Sequence, residues 1–122
     1  MRFVFLLLVI YQLKHFLCDY PLQTQYMLGK FKPHAWVWPL AAHAGVHAAG
    51  TLLVTAVFGP ALALAIGLAA LDLIAHFTID RIKVLKGSYP QTDKRFWWAL
   101  GADQMAHHLT HYLIIAILLW LR

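Results

Sequence analysis

The sequence predicts an all-α integral membrane protein, a four-helix bundle built from two repeated helical hairpins. Three observations carry that expectation: long apolar runs separated by turns, a low content of charge, and an internal repeat that returns the same polar motifs at matching places. Of the 122 residues, 61% are hydrophobic and 12% charged, where soluble domains carry about a quarter charged residues, and the mean hydropathy is +0.64. There is no Glu, and ten Lys and Arg face five Asp, for a net charge of +5. In so apolar a chain the basic excess belongs in short loops and at headgroups, which points to anionic membrane lipid as a partner and not to nucleic acid. The single Cys18 excludes an intramolecular disulfide and takes no role.

The first helix is expected from Arg2 to Asp19, an apolar run with Lys14, His15 and Asp19 crowded at its far end and Pro21 breaking it. Its start resembles a signal peptide, but no small-residue cleavage site follows, so it is expected to be retained. Leu22 to Pro33 alternates polar and apolar residues and suits a segment at headgroup level. The second helix, Ala35 to Phe58, opens with Trp36 and Trp38 as an interfacial aromatic belt and ends at Gly59-Pro60. That turn is tight, so the third helix, Ala61 to about Lys83, must fold straight back along the second. A basic loop from Val84 to Lys94 contains Gly87, Ser88 and Pro90, and Asp93 is placed to cap a fourth helix running to Leu121. Small residues at Ala41-Ala42, Ala44-Gly45, Ala48 to Gly50 and Ala69-Ala70 let helices approach closely.

Lys30 and Lys32 fall in the first loop, and Arg81, Lys83, Lys86, Lys94 and Arg95 surround the last. The positive-inside bias therefore predicts both basic loops in the cytoplasm and both termini outside. These lysines also offer attraction to a phosphate headgroup, with topology the weightier reason for their presence. No stretch is rich enough in Ser, Gly or Pro to be a linker, so a single transmembrane domain over 1–122 is expected.

The two halves align as repeats, one about 1–58 and the other about 61–122. His15-Phe16-Leu17-Cys18-Asp19 matches His76-Phe77-Thr78-Ile79-Asp80, and the stretch from Trp38 to His47 matches the stretch from Trp98 to His107. Every helix then carries one pair of candidate ligands four residues apart: His15 with Asp19, His43 with His47, His76 with Asp80, and Asp103 with His107. Such pairs lie on one helical face, one turn apart. Counted along the helices, all four fall in the half of the span nearer the basic loops.

Polar residues this deep need a reason, because one charged side chain at mid-bilayer costs roughly 2.5–3.5 kcal/mol on insertion scales. Interhelical hydrogen bonds give back only about 0.6 kcal/mol on average, so packing alone accounts poorly for four pairs. Imidazole with carboxylate suits zinc first, with manganese or iron as alternatives, and one or two ions fit the donor count. With an open coordination position the expected chemistry is hydrolysis of an ester or phosphoester in a lipid or other membrane-associated substrate. Asp103, Asp80 and Asp72 are the candidate catalytic carboxylates, Asp72 because it lies one turn from His76. Gln104, His108 and His111 lie outside the repeat and are candidates for orienting ligands or touching substrate. His34, beside Pro33, is at most a headgroup contact. A divalent-metal transporter or metal-binding membrane protein would use the same ligands, and a haem-binding redox bundle would take His43 or His47 with His107 as axial pair. An oligomer is compatible with any of these readings.

The His-x3-Asp of the first span, the paired His of the second, His76-Phe77-x2-Asp80 and Asp103-Gln104-x2-His107 together resemble the domain of unknown function 3307 family, small bacterial and phage membrane proteins. The resemblance covers nearly the whole chain and implies a multi-pass protein of the bacterial inner membrane. More distantly, the pattern is similar to membrane-bound metal-dependent hydrolases, which implies a hydrolase.

Overall fold

The computed structural model describes Met1–Arg122 and is all-helical. Four long helices, α1 (Arg2–Asp19), α2 (Val37–Phe58), α3 (Leu62–Lys86) and α4 (Lys94–Trp120), are joined by a loop holding a 3₁₀ turn (Met27–Phe31), by the Gly59-Pro60 turn, and by a short basic loop. Consecutive helices pack on one another and α1 packs on α4, which closes the ring.

The boundaries follow local chemistry. Helix α1 has the expected span and ends where Pro21 would interrupt it. Helix α2 starts two residues later than expected, because Ala35 takes a left-handed backbone (φ 56°) as the chain turns in from the loop. Helix α3 runs one turn further than expected, to Lys86. Asp93 caps α4 by accepting from the Arg95 backbone N–H at 2.9 Å. The Arg95 guanidinium also donates to both Asp93 oxygens, and these bonds hold the carboxyl below the usual carboxylate range.

Each helix turns one stripe inward at helical spacing, and the stripes change character along their length. In α1 it is Leu7, Tyr11, Lys14, His15 and Cys18; in α2, Leu40, His43, His47, Thr51 and Thr55. In α3 it is Ala65, Leu68, Asp72, His76 and Asp80; in α4, Asp103, His107, His111, Ile114 and Leu118. The interior is therefore polar toward the two basic loops. Toward the termini it is an apolar cluster of Leu7, Tyr11, Leu68, Ile114, Ile115 and Leu118, each at most 3% exposed.

The outer faces are the reverse. Phe5, Val9, Leu13 and Phe16 on α1, Leu53 and Val57 on α2, Ile66 and Ile74 on α3, and Leu109 and Leu113 on α4 are all exposed. Thr78 and Thr110, on or near these faces, donate back to carbonyls one turn earlier, which satisfies their hydroxyls within the helix. By length and hydropathy, α2 and α3 are apolar enough to cross a membrane. Of the four spans expected, α1 and α4 do not pass that test, because Lys, His, Asp and Gln dilute their apolar content.

Candidate metal centre

At the loop end the four stripes converge, and carboxylates become the centres around which the imidazoles collect. Asp19, the last residue of α1, has Oδ1 2.9 Å from His47 Nε2 and 3.4 Å from His43 Nε2, while its Oδ2 is 3.0 Å from His15 Nε2. Asp80 on α3 has Oδ1 3.1 Å from His107 Nε2 and 3.8 Å from His76 Nε2. Its Oδ2 accepts from Lys30 Nζ at 2.7 Å and lies 3.5 Å from His43 Nε2. His43 thus stands between the two carboxylates.

Positions matched in the sequence take matched contacts. His47 on Asp19 corresponds to His107 on Asp80, and His15 on Asp19 to His76 on Asp80. The halves part where His43 is matched by a carboxylate. Asp103 places Oδ1 3.5 Å from His107 Nε2 and accepts at Oδ2 from Lys83 Nζ at 3.0 Å.

Two groups of donor atoms lie mutually within 4.8 Å and can hold a metal ion: Asp19, His43, His47 and His76, and His76, Asp80 and His107. His76 belongs to both. It is 1% exposed, and neither of its ring nitrogens has a hydrogen-bond partner. An imidazole buried in that state costs free energy, and a cation on Nε2 would remove the part of that cost that falls on Nε2. The donor set fits a metal on this ground. A neutral imidazole has one acceptor nitrogen, so Nε2 of His76 serves one ion, not two.

Charge separates the two groups. Asp72, Asp80 and Asp103 each accept from an ammonium, of Lys14, Lys30 and Lys83 respectively. Asp19 has only imidazoles around it, and with its side chain 19% exposed it is also the most open of the four. An uncompensated carboxylate among three imidazole nitrogens is the place in this interior where a divalent cation is most strongly favoured.

Of the eight expected ligands, His43, His47, His76, Asp19, Asp80 and His107 fall in these two groups. His15 instead holds the second oxygen of Asp19, and Asp103 stands behind His107. Gln104 bridges the halves, with its Oε1 3.2 Å from His15 Nε2 and its Nε2 donating to Asp103. His108 packs its ring 5.2 Å from that of His15.

Asp72 does not join the ligands. It is turned to Lys14 Nζ and the Thr51 hydroxyl, both donating to Oδ2 at 2.6 Å, because an ammonium buried beside it is a stronger partner than a neutral ring one turn away. His111 belongs to this second polar group, 3.5 Å from Lys14 Nζ and 5.2 Å from the Tyr11 ring, although its ring also touches His15. Gly50 makes room for Lys14: a Cβ there would come within 2.9 Å of the lysine stem.

Three lysines complete the site, and their partners were not read from the sequence. Lys30 departs from the headgroup position expected of it: it is 7% exposed, because the 3₁₀ turn carries it inward to Asp80. Lys14 had a signal, a cation within an apolar run that needed a partner. Nothing local singled out Lys30.

Neither a curated protein nor a solved structure matches this chain. Residues 4–122 match the family described as protein of unknown function (DUF3307), the one that the His and Asp motifs resemble, and the chain belongs to that family.

Proposed function

We propose that this is a multi-pass membrane protein carrying one divalent ion on Asp19, His43, His47 and His76, and that it hydrolyses an ester or phosphoester of a lipid. The observation that carries the reading is the uncompensated Asp19 carboxylate facing three imidazoles, beside the unpartnered ring of His76. Membrane insertion is supported by the inverted polarity of the fold, with Asp72, His76 and His107 at 2% exposure or less while Phe5, Leu53, Ile74 and Leu113 are more than half exposed. The basic loops then face the cytoplasm by the positive-inside bias. Zinc is the leading ion for three imidazoles and a carboxylate.

A divalent ion held there supplies Lewis acidity and activates a water near neutral pH. The chain supplies the rest. Asp80 and His107, 3.1 Å apart, form a base that accepts the proton of the attacking water. A bond forms from water oxygen to acyl carbon or phosphorus, the bond to the alkoxide oxygen breaks, and His107 returns the proton to that oxygen. Lys30 holds Asp80 by its other oxygen, and Asp103 with Lys83 backs His107.

The transporter reading asks for access from both sides of the membrane. The polar interior ends at Leu7, Leu68, Ile114 and Leu118, none more than 3% exposed, which favours a site open at the basic-loop end. Haem is disfavoured because the His76 ring stands between those of His47 and His107, at centroid distances of 3.6 and 4.1 Å, in the space a porphyrin would need.

Elemental analysis of the purified protein, with a screen of lipid esters and phosphoesters, tests the proposal. One equivalent of zinc, manganese or iron with hydrolysis abolished by Asp19→Asn is expected. A folded, fully active protein free of bound metal would overturn it.

A further inference from the structure

We infer that the groove between α3 and α4 is a lateral binding site for one phospholipid with an anionic headgroup, which presents its ester region to the metal centre. The inference rests on the hydrolase reading above and names the class of its substrate. The groove encloses about 320 Å³, at the small end of ligand sites. Ile79 and Ile82 form one wall, and Ala99, Ala102 and Ala106 the other.

Depth along the groove matches the chemistry of a lipid. Lys86 and Gly87 lie at the basic-loop end, and there α3 comes so close to α4 that a Cβ on Gly87 would meet the Ala99 Cβ at 2.9 Å. Lys83 and Asp103 come next, one helical turn or roughly 4.5–6 Å deeper by helical rise, and Ile79 and Ala106 roughly 4.5–6 Å beyond that. A phosphate fits beside Lys86, whose side chain is exposed and has no carboxylate partner; ester linkages fit at Lys83 and Asp103; acyl chain fits against Ile79 and Ala106.

Two further observations point to this occupant. Asp103 lines the groove yet is 5% exposed, and its Oδ1 has no hydrogen-bond partner and lies 3.5 Å from His107 Nε2, so one wall of the groove is the carboxylate that backs His107 of the His/Asp cluster. A second, smaller groove of about 240 Å³, lined by Ala41, Leu73, Ile74, Phe77 and Thr78, has neither a charged residue nor a member of the cluster in its lining. Charge complementarity to phosphate is a property of the α3–α4 groove, not of apolar surface in general.

Native mass spectrometry of the detergent-purified protein, offered phosphatidylglycerol or phosphatidylcholine, reads occupancy directly, and metal content is measured on the same samples. Wild type is expected to retain one phosphatidylglycerol in preference to phosphatidylcholine. Ala102→Phe, which fills the groove, should lose that lipid, whereas Ala41→Phe in the uncharged groove should retain it. Lys86→Gln, an exposed change that leaves the fold intact, should weaken phosphatidylglycerol about fivefold, the worth of one basic residue at a lipid surface. Equal retention of the two lipids by wild type, or full retention by both Ala102→Phe and Lys86→Gln, would overturn the inference. Lipid retained as expected on protein that never holds metal would leave the groove standing and remove the hydrolase reading.

Discussion

The ammonium of Lys30, carried on the loop of the first half, donates to Asp80 of the second half across 2.7 Å, with both side chains 8% exposed. The bond ties the short 3₁₀ turn to α3 and fixes which oxygen of Asp80 remains for His107 and His76. Lys30→Met should destabilise the protein by roughly 3–5 kcal/mol, the usual cost of leaving one member of a buried ion pair alone. Thermal unfolding in detergent reads this, and Lys30→Met combined with Asp80→Asn should lose less than Lys30→Met alone. Equal stability of Lys30→Met and wild type would remove the structural role.

Asp19 is the carboxylate without an ammonium partner. Asp19→Asn should abolish stoichiometric metal while the helical circular dichroism is kept, and Asp93→Asn, at the exposed cap of α4, should retain metal in full. Asp72→Asn should also retain metal, since Asp72 faces Lys14 and Thr51. Loss of metal in the Asp72 variant equal to that in the Asp19 variant would mean that the ion sits deeper than Asp19.

Chelation should lower the melting temperature, and restoring zinc should raise it in a concentration-dependent way. Binding to the folded state alone contributes about 2.7 kcal/mol at a hundredfold excess over Kd. Asp19→Asn should lose this response. A chelator-insensitive melt in protein known to have lost its metal would contradict the proposed centre.

Gly50→Ala probes the second polar group. The added Cβ would crowd the Lys14 stem at 2.9 Å in a place walled by buried Thr51 and Asp72. A loss of about 1–3 kcal/mol is expected from overpacking, against a gain of helix propensity for the same change at an open site. Gly45→Ala, where a Cβ meets nothing within 4 Å, is the matched control and should not destabilise.

At the exposed cap of α4, pH should act in one direction. Bonding to Arg95 lowers the Asp93 pKa, so the cap contributes stability above the unfolded carboxylate pKa and loses it as pH falls through the folded one. Protection of the Arg95 amide, relative to its intrinsic exchange rate, should therefore fall on acidification within the carboxylate range, and Asp93→Asn should flatten the response. An exchange profile unchanged by that substitution would exclude the cap as its cause.

Much of this architecture was legible in the residues because it depends on neighbours in sequence. The span of α1, the Gly59-Pro60 turn and the Asp93 cap follow from periodicity, breakers and capping, and the shared faces of the four His and Asp pairs follow from one-turn spacing on a helix. What distance along the chain does not determine is which partner each charge finds. Asp80 and Asp103 are both four residues from a His, yet Lys30 and Lys83 reach them from elsewhere, and only Asp19 is left to imidazoles alone. Asp72 shares a face with His76 but turns to Lys14, because helix packing brings that ammonium against it and Gly50 leaves the space. In a low-dielectric interior a charge takes the nearest opposite charge that packing offers, and that is settled only when the four helices close on one another.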